Sequence, residues 1–448
     1  MSKERLLNEI LSEMNAECKR LIEHLASSEE VSIERIESSF RQMMLRIGGK
    51  FIELYVGRSD LGYDGKRTEC SCGKMAEFEG YRSRVVQTMI GTARIERAYY
   101  HCPSCRSGFA PLDQELDLSR RSLSRALERA VCRLAVVESF EQTVEDLYDV
   151  GGVSVSAKEA QLVSESIGAA IAVQGAAEVE AVWAEQMDIE SEDRPEVLCV
   201  EVDGKIVPTR EGGRELKVAA VSELVAGARA NQQRLEVGKT TYLGRFDCAQ
   251  DFGRHVWVEA ARRGVEDAKV VIGLGDGAPW IWNLMGEQFP NAVQILDFYH
   301  ASGHVWELGN ALYGEGTERA KRFASCKQDQ LKAGEVSKVI AALKRLKVAD
   351  RDKQDKIRLE IGYLQENKDR MQYPTYRERG YHIGSGVVES ACKQFGARLD
   401  QAGMRWIEPG AGAIAALRVG YVLEASQTPS IRLSAADKPY MHPADVSA

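Results

Sequence analysis

Three acidic residues that are far apart in this sequence occupy positions from which they could act together. Asp203 ends the apolar run 198–202, and Asp276 ends a second apolar run, 270–275. Glu389 lies further along, in a segment that reads as the start of a helix. Mg²⁺ prefers carboxylate oxygens, and two such ions about 4 Å apart can stabilise the attacking and leaving oxygens of a phosphodiester. The three carboxylates therefore predict metal-dependent cleavage and transfer of nucleic-acid strands.

Each of these positions also has a simpler explanation when it is taken alone. Asp203 and Asp276 both precede a glycine, and an aspartate after a strand is most often a turn or helix-capping residue. His300 and His304 have the spacing of a helix-borne metal pair, but no glutamate stands between them as it does in zinc proteases. We expect His300 to form a hydrogen bond near the acids or to be a core histidine.

Four of the ten cysteines form two close pairs, Cys70 with Cys72 and Cys102 with Cys105. Four thiolates arranged in this way suit tetrahedral Zn²⁺ with bonds of about 2.3 Å, and such a closed site is structural rather than catalytic. His101 could replace one ligand, and chance pairing or a redox pair are the alternatives. The other cysteines are scattered singly, which is typical of a reducing compartment.

The bulk composition indicates a cytosolic multidomain protein. A length of 448 residues predicts two to four domains. The start of the chain is charged, and no apolar run approaches the roughly 20 residues of a membrane span, so neither a secretory signal nor a membrane association is predicted. The net charge of −8 argues weakly against a nucleic-acid partner, but local patches decide such binding.

Hydrophobic periodicity and composition predict a mixed α+β chain of several domains. The predicted segments are a helical region at 1–58, a cysteine-rich region with strands at 60–118, a helical region at 119–185, an acidic linker at 188–196, mixed strands and helices at 197–305, charged helices at 306–380, apolar helices at 381–425 and a disordered tail at 426–448. Within the cysteine-rich region, 85–90 and 93–100 read as a hairpin with Gly91 and Thr92 in the turn.

Two helical segments have more than one interpretation. The region 1–58 is either an interaction or dimerisation arm or a helical hairpin that packs on the rest of the chain. Around 139–168, a glycine pair at Gly151 and Gly152 separates two helical patterns. That outline fits a helix-turn-helix as well as a plain helical hairpin.

Several motifs along the chain carry a family resemblance. In order they are CSCG (70–73), YYHCPSC (99–105), GFAPLD (108–113), VDG (202–204), GDGA (275–278), DFYH (297–300), GSGVVESACK (384–393) and GMRW (403–406). Over roughly 60–425 the chain therefore resembles bacterial insertion-sequence transposases of the ISKra type, within the broader Mutator-like DDE group. The tight C-x-C pair is a feature of that family.

The resemblance implies an RNase H-like α/β catalytic domain with an all-helical insertion at 306–380, preceded by a zinc ribbon and a helix-turn-helix. It places Asp203 on the first strand, Asp276 after the fourth strand and Glu389 on a helix after the fifth, where they would bind Mg²⁺ or Mn²⁺. Asp297 and His300 match an Asp/Cys-x-x-His signature, which gives His300 a place in the catalytic site. Asp297 could be mistaken for the second metal ligand, but Asp276 follows its strand directly.

The activity implied is that of a DDE transposase, with double-stranded DNA of the element ends and of the target as its partners. Joining two ends requires a homodimer or a larger assembly, in the cytoplasm and on the bacterial nucleoid. Lys393, Arg398 and Arg405 lie near the Glu389 helix and are predicted to contact phosphates. Trp406 is predicted to stack on an unpaired base, or else to be a buried core residue.

Two other classes of protein compete with this interpretation. A catalytically silent DNA-binding regulator derived from a transposase would need none of the acids, and all three are present. An RNase H-like nuclease would cleave without strand transfer, and the DNA-binding modules and long helical segment make it less favoured. Metal-dependent formation of joined DNA products separates the three.

Overall fold

The structure is a computed structural model that describes residues 3–27, 32–118, 121–191, 193–227 and 234–423. The chain divides into two compact units, Met1–Glu165 and Ser166–Ala448. The predicted disordered tail at 426–448 lies outside the described residues.

Helices and strands alternate in blocks along the chain. In the first unit they are α1 (Lys3–Ala26), α2 (Ile33–Val56), β1 (Arg67–Glu69), β2 (Met75–Thr88), β3 (Gly91–His101), β4 (Gly108–Phe109), α3 (Pro111–Glu115), α4 (Arg125–Ala135), α5 (Phe140–Gly151) and the start of α6 (Ala157–Trp183). In the second unit, after α6, they are β5 (Val197–Thr209), β6 (Gly212–Ala226), β7 (Leu235–Arg245), α7 (Ala249–Arg262), β8 (Val270–Gly275), α8 (Pro279–Gln288), β9 (Val293–Leu296), α9 (Phe298–Tyr313), α10 (Glu318–Lys332), α11 (Val336–Lys344), α12 (Arg351–Glu366), a 3-10 turn (Lys368–Arg370), α13 (Tyr373–Glu378), α14 (Gly386–Leu399), α15 (Glu408–Arg418) and a π turn (Val419–Leu423). Within the described residues these fifteen helices and two sheets confirm the predicted mixed α+β chain.

The first unit contains a four-stranded antiparallel sheet in the order β1-β2-β3-β4, dominated by the β2–β3 hairpin. The turn of this hairpin is Met89–Ile90, so the prediction of a turn at Gly91 and Thr92 was wrong. Gly91 begins β3 with φ 127°. A Cβ on Gly91 would lie 1.8 Å from the Leu45 carbonyl oxygen of α2. Both its backbone conformation, directly after the turn, and the close approach of α2 therefore require a glycine at this position.

The predicted pair of helices around 139–168 corresponds to α5 and the start of α6. Gly152 ends α5 in the left-handed conformation, with φ 69°. The hydroxyl of Ser156 accepts a hydrogen bond of 3.1 Å from the Glu159 amide and so caps the start of α6. The outline of helix, glycine turn and helix is confirmed, and its use in DNA binding stays a prediction.

The second unit is built on a five-stranded sheet in the order β7-β6-β5-β8-β9. The first three strands form an antiparallel meander, and β8 and β9 run parallel to the central strand β5. Residues 198–202 of β5 are all buried, so both faces of the sheet are covered in the middle. Because side chains alternate along a strand, Cys199, Glu201 and Asp203 share one face.

The predicted helical segment 306–380 has no separate core of its own. Leu331 in α10, Val339 in α11 and Leu364 in α12 belong to the same hydrophobic cluster as Ile272 and Ile295 of the sheet. These helices are therefore fixed against the strands that carry the acidic residues, and they can contribute side chains to the same site.

Candidate functional site

The four paired cysteines lie together at the ends of β1 and β3. The sulfurs of Cys70 and Cys105 are 3.6 Å apart, and those of Cys72 and Cys102 are 3.7 Å apart. All four sulfurs lie within 4.8 Å of one another. A tetrahedron with metal–sulfur bonds of about 2.3 Å has edges of about 3.8 Å. The cluster therefore has the dimensions of a four-thiolate zinc site.

Two short loops present these sulfurs. The Cys70 amide donates to the Lys74 carbonyl at 2.8 Å, and the Cys102 amide donates to the Ser107 carbonyl at 2.8 Å. Hydrogen bonds, first from the Cys72 amide and then from the Ser107 hydroxyl, lower the pKa of the Cys70 thiol to about 6. A thiolate is the form that binds a metal. The backbone thus forms the site before any ion is bound.

Asp203 and Asp276 lie close together on the two neighbouring inner strands β5 and β8 of the second sheet. Val202 of β5 is paired in register with Gly275 of the parallel strand β8, and each aspartate is the next residue. Burial raises the pKa of Asp203, and the nearby negative charge of Asp276 also raises it. One carboxylate oxygen of Asp203 accepts from the Gly204 amide at 2.7 Å, and one of Asp276 accepts from the Ala278 amide at 2.9 Å.

Glu389 lies on α14, which packs against β5. One turn later on this helix, Cys392 is close enough to Asp203 that burial and the Asp203 charge both raise the pKa of its thiol. Glu389 itself is 56% exposed and forms an ion pair of 2.8 Å with Lys393. In the described part of the chain, the cysteine cluster is the only set of three or more potential ligands within 4.8 Å of one another. The three acids are therefore spread more widely than that.

Asp297 is engaged differently from Asp276. Its carboxylate is 5% exposed, and one oxygen caps α9 by accepting from the amides of Tyr299 at 2.6 Å and His300 at 2.9 Å. The other oxygen accepts from the Ser385 amide at 2.7 Å and from the Ser385 hydroxyl. Because protein donors occupy both oxygens, Asp276 is the better candidate for a metal ligand.

Glu201 is a buried acidic residue that the sequence reasoning missed. It lies on β5 two residues before Asp203, and its carboxylate accepts from the amides of Val387 at 3.1 Å and Val388 at 3.0 Å. Burial raises its pKa to about 7. These bonds hold the start of α14 against the sheet. Its position inside the apolar run 198–202 was the one available signal.

His300 belongs to a chain of side chains that reaches the acidic residues. Its Nε2 is 3.3 Å from the Nε2 of His304, and the Nδ1 of His304 is 3.1 Å from a carboxylate oxygen of Glu360. His300 is exposed, and it lies close enough to Asp203 that a positive charge on its ring would lower the pKa of that carboxyl. Sequence reasoning also missed Glu360, which α12 brings to the site.

The residues predicted to contact DNA fall into two groups. Arg398 is fully buried with its guanidinium 4.9 Å from the centroid of the Trp406 ring, and Trp406 is 6% exposed with its indole N–H bonded to the Leu399 carbonyl. Burial therefore excludes direct DNA contact by these two residues in this structure and gives them a packing role. Lys393 and Arg405 are exposed, with Lys393 paired to Glu389.

The chain belongs to the uncharacterised protein family UPF0236, whose family model matches residues 27–428. A search of curated proteins found no match to this chain. Among the helices in the described residues, none is both long and apolar enough to cross a membrane.

Proposed function

We propose that this protein is a DDE transposase that binds the ends of its own insertion sequence and catalyses metal-dependent DNA strand cleavage and transfer. The observation that carries the proposal is that Asp203, within β5, and Asp276, directly after β8, each follow one residue of the in-register pair Val202 and Gly275 on adjacent parallel strands. Two carboxylates held close together on neighbouring strands suit a divalent cation, because the cation offsets their mutual repulsion.

The order of the sheet supports an RNase H-like assignment for the second unit. An antiparallel meander followed by two parallel strands, in the order 3-2-1-4-5, places the first acid on the first strand. The second acid follows the fourth strand, and Glu389 lies on a helix after the fifth. This is the arrangement that the resemblance to ISKra-type transposases implies.

In the proposed site Asp203 and Asp276 hold Mg²⁺ or Mn²⁺, with Glu389 as the third carboxylate. A divalent ion bound there supplies charge stabilisation to the reacting phosphodiester and lowers the pKa of water. Glu201 and Asp297 fix the start of the helix that carries Glu389. The exposed imidazole of His300, on α9, lies near Asp203 and would contact the DNA backbone.

A cleft of about 1010 Å³ adjoins Glu389 and can accommodate DNA. Arg234, Lys332 and Arg377 line it with positive charge, and the ring of Tyr299, 70% exposed, offers a surface on which a base can stack. Acidic side chains also line this cleft, so it favours local contacts over a broad basic groove. The four-cysteine unit with bound zinc and the α5–α6 pair would recognise the element ends.

The test uses the full chain with linear DNA that carries the sequence flanking its own gene, in Mg²⁺ or Mn²⁺. We expect the wild type to produce nicks and joined products, and Asp203→Asn and Asp276→Asn to lose about a thousandfold in rate. Asp267→Asn, a half-exposed aspartate paired with Arg194, is the matched control and should behave as wild type.

Each alternative outcome has a distinct meaning. Nicked DNA without joined products would favour a nuclease. Sequence-specific binding without any cleavage would favour a regulator. Cleavage that survives in both aspartate variants would overturn the proposed site.

A further inference from the structure

We propose that Glu360 and Tyr363 of α12 are positioning residues for the transposase site: they hold His304, and His304 fixes the tautomer and orientation of His300 beside Asp203. This inference rests on the proposed function and deepens it. It gives the helical segment 306–380 a direct part in the site. The structure carries it through three successive contacts.

The first contact joins Glu360 to His304. A carboxylate only accepts hydrogen bonds, so the Nδ1 of His304, 3.1 Å away, must carry a proton. Glu360 is 6% exposed, and its other carboxylate oxygen is buried without a hydrogen-bond partner in the described residues. The buried charge therefore has His304 as its main partner, and this hydrogen bond raises the pKa of His304.

The second contact is the ring of Tyr363, one turn further along α12. It stacks on the His304 imidazole with a centroid distance of 4.0 Å and an interplanar angle of 3°. Its hydroxyl donates to the Asp276 carbonyl oxygen at 3.2 Å. A Cβ on Gly277 would lie 2.8 Å from the Tyr363 ring. Tyr363 therefore fixes the plane of His304 and also contacts the loop that carries Asp276.

The third contact joins the two histidines through their Nε2 atoms at 3.3 Å. When the His304 ring is neutral, its proton is committed to Nδ1 and its Nε2 is an acceptor, so the Nε2 of His300 must be the donor. The remaining nitrogen of His300, Nδ1, is then the one available to DNA. Exposure increases along the chain of contacts, from buried Glu360 through half-exposed His304 to exposed His300.

A purely structural role does not account for Glu360 well. It lies on α12 between the core residues Ile357 and Leu364, where an apolar side chain would pack without a desolvation penalty. The groups that face His304 are Glu360, Tyr363, His300, Asp276 and Glu307. Within the described residues, Glu360 is the carboxylate that forms a hydrogen bond to the His304 ring.

The direct test is the tautomeric state of the two histidines, measured by ¹⁵N NMR of the imidazole nitrogens in the full chain. The chain has only seven histidines, so His300→Asn and His304→Gln assign the two spin systems. At a pH above the raised pKa of His304, where the ring is neutral, we expect the proton of His304 on Nδ1 and that of His300 on Nε2. Glu360→Leu should convert His304 to a mixture of tautomers, while Glu360→Gln, which still offers an acceptor, should preserve the Nδ1 proton. The opposite tautomers in the wild type, or unchanged spectra in Glu360→Leu, would overturn the proposal.

The functional test measures single-turnover strand cleavage and DNA-end affinity in the same variants. We expect Glu360→Leu to slow cleavage about a hundredfold and Glu360→Gln about tenfold, with the affinity for DNA unchanged. Tyr363→Phe keeps the stacking and should lose less than Tyr363→Leu. In a His300→Asn background, Glu360→Leu should add almost nothing, because Glu360 acts through His300.

Failure of this inference and failure of the proposed function can be told apart. A wild-type protein that does not cleave DNA argues against the transposase, while the NMR measurement still decides the positioning contacts. If instead the wild type cleaves DNA while the rate losses of Glu360→Leu and His300→Asn multiply in the double variant, that result overturns the positioning role alone and leaves the transposase proposal standing.

Discussion

Replacing Asp297 with alanine should unfold the second unit more easily, because both carboxylate oxygens accept hydrogen bonds from protein donors. The two capping bonds from Tyr299 and His300 contribute about 1–2 kcal/mol. The two bonds from Ser385 go to a charged acceptor and contribute about 1.5–3 kcal/mol each. Allowing for the desolvation of the buried carboxylate, we expect a loss of about 3–5 kcal/mol in the free energy of unfolding.

Tryptophan fluorescence during urea unfolding measures this loss selectively. All six tryptophans of the chain lie between 183 and 406, so the signal reports on the second unit. Asp276→Ala is the matched control, because the Ala278 amide at 2.9 Å is its one capping donor. It should cost about 1 kcal/mol or less while abolishing metal-dependent cleavage. Combining Asp297→Ala with Ser385→Ala should give a coupling energy above about 1 kcal/mol.

One result would refute this reasoning. If Asp297→Ala unfolded like the wild type but lost all cleavage, and Asp276→Ala kept its activity, Asp297 would be the metal ligand. Asp276 would then be a turn residue whose carbonyl oxygen accepts a hydrogen bond from Tyr363. Unfolding and cleavage measured on the same two variants thus decide which aspartate is the metal ligand.

Three further predictions concern the zinc site, one glycine and a pair of arginines, buried Arg398 and exposed Arg405. Purified protein should hold about one zinc ion per chain, and Cys102→Ser should lose it and expose the first sheet to protease, as measured by metal analysis and limited digestion. Gly277→Ala should destabilise the second unit by about 1–3 kcal/mol in urea, since its φ is 103° and its Cβ would meet Tyr363. Arg398→Ala should cost about 3 kcal/mol in the same assay. Arg405→Ala should leave stability unchanged and reduce the salt slope of DNA binding by about one.

The regular elements of the fold could be predicted from sequence because their hydrophobic patterns are long. Apolar runs predict strands at 198–202, 216–222, 240–248, 269–274 and 292–296, and a strand is present at each; the segment 306–380 is helical as expected. The errors lie at boundaries that tertiary contacts decide. Hydrophobic spacing predicts a second N-terminal helix over about 32–46, whereas α2 continues to Val56 and packs on β3. The hairpin turn is at Met89 and Ile90. Gly91 was mistaken for a turn residue because its φ at the start of β3 and its contact with α2 also require a glycine.

The candidate site was predictable only where a local pattern existed. Asp203 and Asp276 could be found because each ends an apolar run, and the parallel register of the two strands brings them together. Glu360 and Glu201 carry no such pattern. Glu360 meets His304 across 56 residues and Glu201 meets α14 across 186 residues, so only the folded chain places them. The prediction for Arg398 was wrong, and Trp406 takes the second of its two predicted roles, because a basic and an aromatic residue near an acidic helix can equally well pack against each other.

The bond between Glu201 and the start of α14 has a consequence for synthesis of the chain on the ribosome. The central strand emerges early, but the two amides that satisfy its buried carboxylate are made 186 or more residues later. Until then the sheet would enclose a carboxyl group without its hydrogen-bond donors, which disfavours closure of the core. We therefore expect a nascent or truncated chain that lacks α14 to have an incompletely closed core, and Glu389 joins the two aspartates only after α14 has been translated. For the proposed transposase, a gene copy that stops before α14 would consequently yield a chain without a complete site.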